Sequence, residues 1–131
     1  MKTGLSALRH VRSTLLGSSA FERLVGNKVY YVAATLGATK PYVTCTRTAI
    51  VAQYTKDGWT QDDVIVAVDI VADSYEQAVE IAEVVREVLE ESSGDYGEWR
   101  VKECEMTRSA EGYSIEADAY IITMDVEISI A

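Results

Sequence analysis

Val64-Ile65-Val66-Ala67-Val68-Asp69-Ile70-Val71-Ala72-Asp73-Ser74-Tyr75-Glu76-Gln77-Ala78 is the stretch whose reading decides the fold. Val64, Val66, Val68 and Ile70 line one face of a strand over 61–72, while Ile65, Ala67 and Val71 populate the other. A strand apolar on both faces belongs at the centre of a sheet, covered on both sides by helices or by another subunit. The pattern then changes period. Ser74 and Gln77 have capping-box spacing, which predicts a helix over 74–91. Its buried stripe is expected to be Tyr75, Ala78, Val79, Ala82, Val85, Val88 and Leu89. Glu76, Glu80, Glu83, Glu87, Glu90 and Glu91 form an acidic outer face.

Upstream, residues 42–55 are rich in Tyr, Val, Thr and Ile and read as a long strand. Lys56-Asp57-Gly58-Trp59 joins it to 61–72 as a hairpin. Residues 33–41, with small side chains, Gly37 and Pro41, read as a mobile loop. Val29-Tyr30-Tyr31-Val32 is a short strand. Ser19-Ala20-Phe21-Glu22 has the form of a capping box opening a short helix that Gly26 ends. Residues 5–16 form a further helix, with Leu5, Leu8, Val11 or Arg12, Leu15 and Leu16 on one face and Gly17 as its stop.

Downstream, strands are expected at about 98–108 and 113–130, joined near Ser109-Ala110-Glu111-Gly112. The last one changes face. Tyr113, Ile115, Ala117 and Ala119 are apolar at odd positions, but Tyr120, Ile122, Met124, Val126, Ile128 and Ile130 are apolar at even positions. A one-residue shift flips the buried face, so a bulge or bend near Ala119-Tyr120 is expected, with 113–119 projecting as half of a hairpin. The result is an α+β domain spanning 1–131. Its mostly antiparallel sheet of four to five strands has helices packed on it.

Composition narrows the function. Of 131 residues, 48% are apolar and 25% charged, the balance of a globular chain. No apolar run reaches the length of a membrane span, and Met1 to Gly17, with Lys2, Arg9 and Arg12, lacks the core of a signal peptide. Cys45 and Cys104 read as buried, reduced thiols of a cytosolic protein. The net charge of −9 is unevenly spread. Residues 1–60 carry eight basic and two acidic side chains, whereas 61–131 carry four basic and nineteen acidic. An acidic second half repels phosphate and disfavours sequence-reading of DNA. It also leaves room for oppositely charged halves to meet across a subunit contact.

Catalytic chemistry is hard to find. His10 is the sole histidine. Flanked by Ser6 and Thr14 one turn away, it reads as a surface residue. There is no nucleophile elbow, no cysteine pair with metal spacing, no phosphate-cradling loop and no dinucleotide fingerprint. Asp62, Asp63, Asp69, Asp73, Asp118 and Asp125 could pair as acid and base, but nothing singles out one pair. No catalytic residue, metal ligand or cofactor is expected. An acidic site in a small cytosolic α+β enzyme or ligand-binding module stands as the alternative to a role in assembly.

Several segments taken in order carry a resemblance. They are Leu24-Val25-Gly26-Asn27-Lys28-Val29-Tyr30, then Pro41-Tyr42-Val43, Asp57-Gly58, and Val68-Asp69-Ile70-Val71-Ala72-Asp73-Ser74-Tyr75-Glu76-Gln77-Ala78. Together they resemble the tail completion proteins of long-tailed bacteriophages and prophages, the tail terminator or tail-to-head joining family. The likeness covers residues 5–91. It departs at Lys28, where arginine is usual, and at Tyr31, where proline is frequent. The resemblance implies a homo-oligomeric ring, commonly six-fold, at the head-proximal end of the tail tube. Such a ring ends tube growth and offers a surface to the head connector protein, with DNA passing through its lumen. It would be assembled in the bacterial cytoplasm and end in the virion tail, with the tail tube protein as its other partner. Leu36, Thr39 and Lys40 in the loop, Trp59 beside the Asp57-Gly58 turn, and Tyr113 are the candidate interface residues.

Overall fold

The computed structural model describes residues 3–131; Met1 and Lys2 lie outside the described residues. A short 3-10 turn at Gly4–Ser6 leads into α1 (Ala7–Leu16) and α2 (Ser19–Val25). Then come β1 (Val29–Tyr31), β2 (Tyr42–Thr55), β3 (Gly58–Ala72), α3 (Tyr75–Leu89), β4 (Gly94–Asp95), β5 (Arg100–Ser114) and β6 (Ala119–Ile130). The strands form one curled sheet in the order β1-β2-β3-β6-β5-β4. Only the β1–β2 pair is parallel. This is the expected α+β class, with a two-residue β4 added to the strands that the sequence marks.

Three helices cover one face. Val64, Val66, Val68 and Ile70 of β3 and Met124, Val126, Ile128 and Ile130 of β6 point into it, with Cys45, Val101 and Cys104 from the flanking strands. Ala7, Val11 and Leu15 of α1, Phe21 and Val25 of α2, and Ala78, Ile81, Val85 and Leu89 of α3 close over them. The strand that opened the reading is indeed central, with β2 and β6 as neighbours. Its second face is left without a covering element among the described residues.

That open face is acidic. In the ladder, Ile65 stands beside Glu127, which stands beside Glu105; Ala67 stands beside Asp125, which faces Arg108. Asp69 lies between Thr44 and Thr123, and the Thr123 hydroxyl donates to it at 2.5 Å. Asp63 accepts from Gln53 Nε2 at 2.6 Å, Gln61 Nε2 at 2.9 Å and the Ser129 hydroxyl at 3.2 Å. Arg100, Lys102 and Arg108 of β5 offset this row of carboxylates in part.

The structure corrects several local expectations. The cap of α2 is Ser18, whose hydroxyl accepts from the Phe21 amide at 3.2 Å; Ser19 is already helical. Leu5 precedes α1 in the 3-10 turn and is exposed. On α3 the buried stripe includes Ile81 but not Tyr75, which is half exposed because it sits on the first turn at the sheet's rim. The cap itself is as expected, with Ser74 Oγ accepting from the Gln77 amide at 3.2 Å. The β5–β6 connection is not at 109–112. β5 continues to Ser114, and the turn is Ile115–Asp118, with Asp118 at φ 49°. The change of apolar parity near Ala119 therefore marks passage from one strand to the next instead of a bulge inside one. Tyr113 and Tyr120 are direct cross-strand partners. The register shifts lie elsewhere, at Thr48 and between Gln53 and Tyr54 in β2 and at Lys102 and Thr107 in β5.

One close approach ties the N-terminal turn to the sheet. The Gly4 amide donates to the buried Asp62 carboxylate at 2.8 Å, and Trp59 Nε1 donates to its other oxygen at 2.8 Å. A Cβ at position 4 would sit 2.7 Å from Val64 Cγ2 and 2.8 Å from Asp62 Cβ. Gly4→Ala is therefore expected to cost about 1–3 kcal/mol in urea unfolding, through displaced packing. An unchanged midpoint would show that this turn can lift off the sheet freely.

Candidate functional site

The five candidate interface residues separate into two groups. Lys40 ends the 32–41 connection, and its ammonium reaches Asp73 at 3.1 Å, the Asp118 carbonyl at 2.6 Å and the Ala117 carbonyl at 3.3 Å. One cation thus holds the loop, the start of α3 and the β5–β6 turn together. Lys28 braces the same loop by donating to the Thr39 carbonyl at 3.1 Å. Tyr113 donates to the Asp118 carboxylate, and that bond pushes its phenol pKa above the usual value. Leu36, at the loop tip, is fully exposed. Leu36, Thr39, Lys40 and Tyr113 therefore gather at one end of the sheet. Trp59 lies at the other, beside the β2–β3 turn.

The loop end carries an aromatic group that sequence spacing did not reveal. Tyr120 packs against Tyr113 at 5.0 Å between centroids and against Tyr75 at 6.3 Å. Tyr75 donates to Glu111 at 3.0 Å, which raises its phenol pKa. Ile115 is also exposed there. At the opposite end Leu5 and Tyr54 are exposed, and Ile50 and Val51 are exposed along the part of β2 that leads to it. The domain thus presents two separate apolar surfaces, one at each end of its strands.

His10 is not a surface residue. It is 1% exposed, with Nδ1 2.6 Å from the Tyr96 hydroxyl and Nε2 2.9 Å from the Ser92 hydroxyl. Tyr96 in turn stacks on buried Trp99 at 4.3 Å between centroids, with the Arg9 guanidinium 5.4 Å from its ring. The imidazole fastens α1 to the segment before β5. Burial holds its pKa below the ordinary value of 6.5. The unfolded chain then binds the proton more readily than the folded one. Stability is full above pH 6.5 and is lost as pH falls from there toward the lower folded value. A His10→Phe variant is expected to flatten that part of the stability–pH curve, read as urea midpoints. An identical slope in the variant would assign it to other groups.

The other reactive side chains are committed to structure. Cys45 and Cys104 are buried, and desolvation pushes their thiols up to about 12 and about 11. Asp62, Asp63, Asp69, Asp73 and Asp118 each have the donors named above, and Asp125 has Arg108 as its register neighbour. Among the described residues no group of three or more His, Cys, Asp or Glu could hold a metal ion. Among the same residues no helix is long and apolar enough to cross a membrane.

Polar groups spent on joining elements, and exposed apolar surfaces at both ends, define a structural domain. The family model described as tail completion protein gp17 matches residues 9–131, and the chain belongs to that family. It is a structural protein of the virion tail and not an enzyme, which sets aside the reading of an acidic catalytic or ligand site. A chain in the solved virion of a native gene transfer agent particle shares the fold. Its TM-score is 0.81 at 19% identity, over 92% of this chain and 90% of that one. No curated protein matches the sequence significantly.

Proposed function

We propose that copies of this chain close into a ring, of six as the family resemblance implies. The ring caps the head-proximal end of the tail tube, ends tube polymerisation and offers its other rim to the head connector. The observation that carries this reading is the pair of apolar surfaces at opposite ends of the strands. A ring subunit with strands running roughly along the ring axis meets one partner at each end. Leu36, Thr39, Lys40 and Tyr113 serve one rim and Trp59 the other.

The helix-free face lines the lumen in this reading. Its carboxylates repel phosphate, so DNA passes without sticking. Assembly takes place in the host cytoplasm, and the finished ring stays in the virion tail.

The test is biochemical. Purified chain added to polymerising tail tube protein should arrest elongation at substoichiometric amounts, since one ring blocks one tube end. Tube length would be read by electron microscopy. Tubes that lengthen at the same rate with and without the chain overturn the capping role.

A further inference from the structure

The sheet has two free edges, and they lie on a diagonal. β1 pairs with β2 only at Val43–Cys45, so among the described residues the outer edge of β2 from Thr46 to Thr55 has no partner strand. At the other side, β4 covers only Arg100 and Val101 of β5. The end of α3 reaches Cys104 and Met106, through the Glu91 amide and the Glu90 carboxylate. From Thr107 to Ser114 the outer edge of β5 is bare. The β2 edge lies toward the β2–β3 turn and the β5 edge toward the β5–β6 turn.

Exposed edges are normally blocked by charge, proline or a cover. Thr48-Ala49-Ile50-Val51-Ala52-Gln53-Tyr54-Thr55 has none of these; bulges at its two ends leave Ala49 to Gln53 in regular register, and Val51 is 59% exposed. The sheet order also converts the charge asymmetry of the sequence into a lateral one. Arg12, Lys28 and Arg47 flank the β1–β2 side, whereas Glu90, Glu91, Glu103, Glu105 and Glu111 outnumber Arg100, Lys102 and Arg108 on the β5 side.

We infer that the free edge of β2 in one copy adds as an antiparallel strand to the free edge of β5 in the next. The sheet then runs continuously around the ring. This rests on the ring reading and names its joint. β2 and β5 run in opposite directions within one sheet, so rotation about an axis along the strands presents them antiparallel. The diagonal offset is what tilted strands need. Closing a sheet requires tilt, roughly 35–45° in barrels, together with a stagger from strand to strand. The contact is heterologous and so closes into a ring instead of a dimer. Backbone hydrogen bonds supply the affinity of such added strands, and charge supplies direction.

Centring the two edges sets Val51 beside Ala110, both on the helix-free face. The test uses the full chain assembled on tail tubes, with a short bis-maleimide as the probe. The native thiols are buried and stay silent. A Val51→Cys/Ala110→Cys double variant should give a ladder of linked multimers, and a mixture of the two single variants should give dimers only. Val51→Glu should fold as the parent does but need about tenfold or more protein to assemble, because an ionised side chain on a free edge blocks strand addition. Rings seen by native mass spectrometry without linkage, and indifferent to Val51→Glu, overturn this joint and leave the ring reading standing. Linked dimers from Val51→Cys alone overturn it in favour of a two-fold β2 contact. A parent chain that never oligomerises, even on tubes, overturns both.

Discussion

A Val85→Asp variant is expected to lose on the order of 3 kcal/mol or more of stability, enough to leave much of the chain unfolded. Val85 is fully buried on α3, in one cluster with Val66, Val126 and α1. A carboxylate there would have no donor, because the buried cluster it enters is built of Val64, Val66, Val68, Ile70, Ile122, Met124, Val126 and Ile128 on β3 and β6. It would either stay charged without compensation or take up a proton at a raised pKa. Set against a total of roughly 5–15 kcal/mol, either cost is large. The measurement is the urea midpoint, with Glu83→Gln on the outer face of α3 as the reference, expected within about 0.5 kcal/mol of the parent. Equal midpoints for Val85→Asp and the parent would remove α3 from the core.

The second large effect is genetic. A phage or prophage deprived of this chain is expected to make tubes of uncontrolled length that do not join heads. The reasoning is mechanical. A tube end that is never capped keeps a surface complementary to the next tube subunit, so growth stops only when subunits run out. The head connector meanwhile meets a tube end instead of its own partner surface. Separate filled heads and over-long tails, counted by electron microscopy, are the expected picture. Normal-length tails attached to heads would end the terminator reading.

Much of the fold was legible because its signals are local. The switch from period two to a helical period at Asp73-Ser74 marks the β3–α3 boundary with no outside information. Asp57-Gly58 marks the hairpin, where Gly58 adopts φ 117°. The misplaced β5–β6 turn shows the limit of such signals. Gly112 and the polar residues before it advertise a turn, whereas Ile115-Glu116-Ala117-Asp118 does not; Asp118 takes the left-handed conformation at its own cost. Its carboxylate and carbonyl are engaged by Tyr113 and Lys40, contacts that depend on the finished fold.

The site was less legible for the same reason. His10 has polar neighbours along α1, but its partners Ser92 and Tyr96 are more than 80 positions away. The Tyr75, Tyr113 and Tyr120 cluster draws on three elements. The free edges are invisible to periodicity, because a strand's sequence does not say how far its neighbour accompanies it. The charge imbalance was readable as a number. Its meaning as a lateral polarity needed the strand order.

The placement of the two cysteines bears on how the finished particle ages. Cys45 lies on β2 and Cys104 on β5, with β3 and β6 between them. Three steps of about 4.8 Å, with a further offset of four residues along the strands, put them well over about 14 Å apart, more than twice the reach of a disulfide. Both thiols are also held protonated and shielded by the core. A virion leaves a reducing cell for air and dilute peroxide. Neither an internal cross-link nor sulfenic acid formation has an easy route here, since oxidants attack the exposed thiolate. The joint is thus built to weather storage outside the host without chemical repair.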